Sequence, residues 1–144
     1  MTARDDKNRR DFFRVFGYVP TSIRCLPPDV DRDSLHSRLL AEADLATWHE
    51  LKVKKVNVSG MGIFFESYER YHVGEILEIK LFLEQVLADI IVAYGEVVRV
   101  ENYLNHSGVA LKFFDMDERV LGIITAYVLH RERELISEKR VGWL

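Results

Sequence analysis

The run "GEILEIKLFLE", residues 74 to 84, places Leu77, Ile79, Leu81 and Leu83 on one side of an extended chain and Ile76, Glu78, Lys80 and Phe82 on the other. Only the first set is uniformly apolar, and a period of two with one apolar face is the signature of a β-strand that buries that face. Past a turn near Gln85, "ADIIVAYGEVVRVEN" supplies enough β-branched residues for a long antiparallel partner.

Alternation governs most of the chain. "YVPTSIRCL" from Tyr18 reads as a strand, with Pro20 tolerable near an edge or a strand start, and the prolines at 27 and 28 end it. "KVKKVNVSGMGIFFES" gives a short strand ending at Asn57, a turn at Ser59 to Gly60 and another strand through Phe64 and Phe65, and "HSGVALKFFD" supplies the last one. Consecutive strands with short turns favour an antiparallel meander or small barrel over any βαβ arrangement.

Two segments carry a helical period instead. Within "DRDSLHSRLLAEADLATWHELK", Leu35, Leu39, Ala43 and Ala46 are spaced four, four and three apart, with Asp33 or Ser34 as N-cap, so a helical insert over 33–50 is expected after the first strand. Asp115 followed by Glu118 resembles a capping box, and Val120, Ile124, Tyr127 and Val128 form the apolar face of a C-terminal helix over 116–140. Gly122 weakens that helix slightly.

With 144 residues, 48% of them apolar, the chain has material for one domain with its own core. Its start lacks the apolar core of a signal peptide, and no window approaches the roughly 20 apolar residues of a membrane span, so a cytoplasmic location is expected. Cys25 is the sole cysteine and is expected to be a small core residue in mid-strand. The five histidines, His36, His49, His72, His106 and His130, stand singly without metal-ligand spacing, and no metal or cofactor is expected. Ser59 lacks the glycine two positions earlier that a nucleophile elbow requires, so no enzymatic activity is expected.

Two stretches resist explanation by packing. "KNRRDFFRV" crowds Arg9, Arg10 and Arg14 around Phe12 and Phe13 in an arm over 1–17, although the formal net charge is −3. Guanidinium groups bind phosphate and the O6/N7 edge of guanine bidentately and stack on bases; equally, these are ordinary solvated charges beside two anchoring rings. "NVSGMG" offers the Asn57 amide, the Ser59 hydroxyl and the backbone at Gly60 and Gly62, either to a ligand or to a plain hairpin turn.

An Arg-x-x-x-Arg arm, a strand, Asn-x-Ser-x-x-Gly at a strand junction, further antiparallel strands and a closing helix together resemble the PilZ family of bacterial cyclic di-GMP receptors. The resemblance rests on Arg10 and Arg14, with Arg9 before them, on Asn57, Ser59 and Gly62, and on "GEVVRVE" and "SGVALKF" as later strands. It implies a mainly β fold, a six-stranded antiparallel barrel with a C-terminal helix, binding cyclic di-GMP at its rim. It assigns Arg10 and Arg14 to phosphate and guanine contacts, Asn57 to a guanine edge, Ser59 to a phosphate or base, and Gly60 and Gly62 to close backbone approach. Arg99 falls where similar proteins can place a stacking side chain, or is an outward-facing strand arginine. Arg9 implies two stacked ligand molecules per site. The arm would order over the ligand and so convert occupancy into a change of shape.

Asn57 is the less acidic of the family's two options at its position, and the insert is longer than a minimal connection. Packing of the insert on the barrel is the expected default, and the insert and C-terminal tail are the surfaces expected to meet a downstream protein of a motility, biofilm or exopolysaccharide system, or a second copy in a homodimer. Two other readings compete: a PilZ-like interaction module without ligand binding, and a small β-barrel binding nucleic acid through its arm. The negative net charge argues against the latter and against DNA as a partner.

Overall fold

The computed structural model describes residues 15–83 and 89–142. Seven strands and two helices follow in order: β1 Val15–Cys25, β2 Arg38–Leu40, α1 Leu45–Glu50, β3 Lys52–Val58, β4 Gly62–Ser67, β5 Ile76–Phe82, β6 Ile90–Asn102, β7 Ser107–Phe114 and α2 Glu118–Gly142. Six strands close a barrel: β1 pairs with β3 and β5, β3 with β4, β4 with β7, and β7 with β6, which returns to β5. All these pairs are antiparallel, and closure leaves no open edge among them. The mainly β barrel with its C-terminal helix is as the sequence implies.

The barrel interior is filled by the apolar sets that alternation selects. Leu77, Ile79, Leu81 and Leu83 are all buried, with Val56, Val58, Phe65, Ile91, Ala93, Val109 and Leu111 facing them. Helix α2 caps this core with Val120, Ile124, Tyr127 and Val128, the face expected from their spacing.

Four local expectations are corrected. The insert is not one helix over 33–50: a 3-10 turn at Arg32–Ser34 and the short strand β2 precede α1. Asp31 accepts from the Asp33 N–H and Asp44 from the Thr47 N–H, so the caps sit at Asp31 and Asp44 instead of Asp33 or Ser34. Leu39, part of the expected helical stripe, instead lies opposite Ile91 as β2 pairs with β6. The insert does pack on the barrel, through an edge-to-face contact of Trp48 with Phe82 (4.8 Å between centroids) and a Lys80–Glu50 ion pair. Second, Val15 to Gly17 belong to β1 and not to the arm, because Val15 is buried and pairs with Val58. Third, α2 is capped by Asp117, whose carboxylate accepts from the Arg119 N–H at 2.8 Å, while Asp115 adopts φ +49 in the preceding bend. Fourth, Cys25 ends β1 at the surface, donating its thiol hydrogen to Glu75 at 2.8 Å.

Candidate ligand-binding site

Cross-strand register gathers one row of outward side chains over the barrel. Phe16 of β1 lies opposite Asn57 of β3, Asn57 opposite Phe64 of β4, Phe64 opposite Ala110 of β7, and Ala110 opposite Arg99 of β6. At the usual strand spacing, Asn57 and Arg99 are about 14 Å apart across three steps. Asn57 is exposed between the buried Val56 and Val58.

Arg99 reaches this row through a defect in the ladder. Val97 is buried and pairs with Leu111, and plain alternation would turn residue 99 inward with it. A bulge between Val97 and Arg99 inserts Val98 and re-aims the arginine outward. Its guanidinium then lies 5.9 Å from the centre of the Phe64 ring and 3.2 Å from the Glu101 carboxylate. Arg99 therefore faces outward and shares a face with Asn57.

The turn after β3 uses its own polar groups. The Ser59 hydroxyl accepts from the Met61 and Gly62 N–H groups, each at 3.2 Å, and the Ser59 N–H donates to the Gly62 carbonyl at 3.0 Å. Gly62 has no side chain because β4 and β7 meet there: a Cβ would overlap the Leu111 carbonyl oxygen. Gly60 lies under α2, where an added Cβ would come within 3.4 Å of Leu121 Cδ1. The close neighbour at Gly62 is the barrel's own backbone.

Arg9, Arg10 and Arg14 lie outside the described residues. The described chain starts at Val15, opposite Val58 and next to the Ser59 turn, so the arm is attached beside the second motif. Three side chains that sequence reading missed flank this attachment. Lys55 Nζ and Arg131 Cζ lie 4.9 and 5.1 Å from the centre of the Phe16 ring, and Arg131 Nε donates to the Phe16 carbonyl at 2.9 Å. Lys55 was legible as an outward member of an alternating strand; Phe16 was assigned to the arm, and Arg131 was not legible because its partner is 115 residues away.

The arrangement offers cations, flat rings and one amide on a single face. Among the described residues, no cluster of three His, Cys, Asp or Glu could hold a metal ion, and no helix is long and apolar enough to cross a membrane.

A tetrameric PilZ domain protein of Xanthomonas campestris, self-assembled via a helical bundle, has a similar fold: the TM-score is 0.63 at 12% identity, over 88% of this chain and 91% of that one. The Bacillus subtilis inhibitor of motility MotI/DgrA matches with a TM-score of 0.61 at 17% identity, and the matched region covers 88% of this chain and about half (52%) of that one. No match is found among curated proteins. A model of the PilZ domain matches residues 8–130, from the arginine arm into α2. The chain belongs to the PilZ domain family, a family of cyclic di-GMP receptors.

Proposed function

We propose that this protein is a cyclic di-GMP receptor that acts by binding and shape change, without an enzymatic step. The observation that carries this reading is the register of Val15 with Val58, which roots the Arg-x-x-x-Arg arm beside the Asn-x-Ser-x-x-Gly turn. The ligand presents two phosphates and two guanines, needing cations, edge readers and flat surfaces. Arg9, Arg10 and Arg14 supply the cations, Asn57 a guanine edge reader, the Ser59 to Gly62 turn a close-fitting rim, and Arg99 on Phe64 a stacking plane. Two stacked ligands would use the length of the face from Asn57 to Arg99, with Arg9 holding the second.

Ordering of the arm would pull on Phe16 and hence on Arg131 of α2, which gives the bound state a route to the C-terminal helix. That helix exposes Leu121, Leu129 and Ile136, a surface suited to self-association or to a protein of a motility or exopolysaccharide machine. The helical-bundle assembly of the Xanthomonas neighbour favours an oligomer larger than a dimer.

A second reading, an interaction module that does not bind the ligand, is favoured by one observation: the Ser59 hydroxyl and the space at Gly62 are already used by the fold. Titration calorimetry separates the two, with wild type beside Arg10→Ala, Arg14→Ala and Asn57→Ala, and with linear pGpG and GTP as controls. The receptor reading expects selective binding near two ligands per chain, at least tenfold weaker in each variant. Heat-silent titration of a folded wild type would replace it with the module reading.

A further inference from the structure

The barrel end remote from the arm carries a second concave site. Strand β4 runs from Gly62, opposite Lys112, to Ser67, opposite Ser107, so the Ser59 turn and this end are about 17 Å apart along the strand. Between the loop after β4 and the β6–β7 hairpin lies an open cavity of about 590 Å³, within the range of roughly 300–1,000 Å³ typical of small-ligand sites.

Its walls are aromatic, with one guanidinium and two imidazoles. Tyr103 and Tyr68 flank His106 with ring centroids 4.9 and 6.1 Å away. Arg70 and His72 stand on the facing loop, and no carboxylate lines the cavity. Four carboxylates lie just outside, each beside a lining side chain: Glu101 accepts from the Tyr103 hydroxyl at 2.6 Å, Glu69 from Tyr71 at 3.2 Å, Glu75 is 3.0 Å from the His72 ring, and Glu66 is 3.6 Å from His106. None of them forms an ion pair with Arg70, which has no ion-pair partner among the described residues. Tyr71, packed edge-on to Phe65, has its phenol pushed up to about 12 by burial and then by Glu69, so it contributes no negative charge.

We propose that this cavity binds small planar anions, a ring system carrying a carboxylate or phosphate, with the ring against Tyr103, His106 and Tyr68 and the anion on Arg70. The site lies beyond the cyclic di-GMP face and is joined to it through Glu101, which pairs with Arg99 and accepts from the Tyr103 hydroxyl.

Amide chemical shifts of the isotope-labelled full chain test this with phenyl phosphate, benzoate, benzylamine and inorganic phosphate as probes. Saturable shifts centred on residues 68–73 and 102–107 are expected with the two aromatic anions, with at least tenfold weaker binding of inorganic phosphate and none of benzylamine. Tyr103→Ala and Arg70→Gln, both in surface loops, should weaken phenyl phosphate binding fivefold or more, and Arg70→Gln should leave cyclic di-GMP titrations unchanged. Benzylamine binding as well as phenyl phosphate, shifts confined to other regions, or variants without effect would each overturn the proposal.

Discussion

The hydroxyl of Tyr127 fills the space that a side chain at Gly17 would need. A Cβ at Gly17 would collide with Tyr127 Oη and come within 3.4 Å of its ring carbon. This contact and the Arg131 bond to the Phe16 carbonyl seat α2 on the first residues of β1. The strand that follows the arm and the C-terminal helix are therefore one mechanical unit.

Gly17→Ala should accordingly destabilise the fold by about 1–3 kcal/mol, the usual cost of overpacking a filled interior. Urea denaturation measures it. Tyr127→Phe removes the colliding hydroxyl, so the double variant should recover part of that loss. Additive effects of the two changes would count against direct contact.

The two glycines of the motif should separate by mechanism. Gly62→Ala pushes a methyl into the Leu111 carbonyl, a backbone atom that cannot rotate away, and should cost about 3 kcal/mol or more. Gly60→Ala meets the flexible end of Leu121 and, at ordinary contact distance, the Thr125 hydroxyl, and should stay within about 1 kcal/mol. Thermal unfolding of both variants, run beside the ligand titrations, distinguishes a lost fold from a lost contact.

Cys25 should behave as a sluggish thiol despite its exposure. Its hydrogen bond to Glu75, then burial and the Glu75 charge, raise its pKa to about 11, while the same bond holds the Glu75 carboxyl below its ordinary value. Only the thiolate reacts, so labelling with a disulfide reagent should be slow at pH 8 and climb toward a midpoint near 11. Glu75→Gln removes the acceptor charge and should shift the profile to lower pH. By linkage, the unfolded thiol ionises first, so the stabilising effect of this pair is present below the unfolded value and declines as pH rises through the folded one.

Alternation made most barrel strands legible because one face of each lines the core, although Ile76 to Ile79 of β5 and Ile90 to Gly95 of β6 are buried on both faces, and the period of α2 was legible through its own buried face. Strand β2 was not: three residues are too few for a period, and the four-residue spacing of Leu35 and Leu39 imitates a helix. Arg99 shows a different limit. Its outward aim depends on the bulge at Val98, a two-against-one pairing with β7 that no local pattern announces. Asn57, Ser59 and Gly62 stood out by residue type, yet the type does not say whether a turn or a ligand uses the hydroxyl. Arg131 and Phe16 meet through the packing of α2 on β1, and sequence proximity carries no trace of it.

The insert gives the last test, because it lies on the outer side of β5 and β6 and not on the row from Phe16 to Arg99. Trp48 packs edge-on against Phe82, and Glu50 pairs with Lys80, whose side chain is largely covered. Full burial of an aromatic makes its truncation cost about 3–5 kcal/mol, and Trp48 is 36% exposed, so Trp48→Ala should cost about 1–2 kcal/mol. Hydrogen exchange should speed up in residues 38–51 while the amides of β3 and β4 stay protected. Cyclic di-GMP binding should be unchanged, since no insert residue belongs to the row of Asn57, Phe64 and Arg99. A tenfold loss of ligand affinity in Trp48→Ala would instead make the insert part of the binding unit and move the site toward β5.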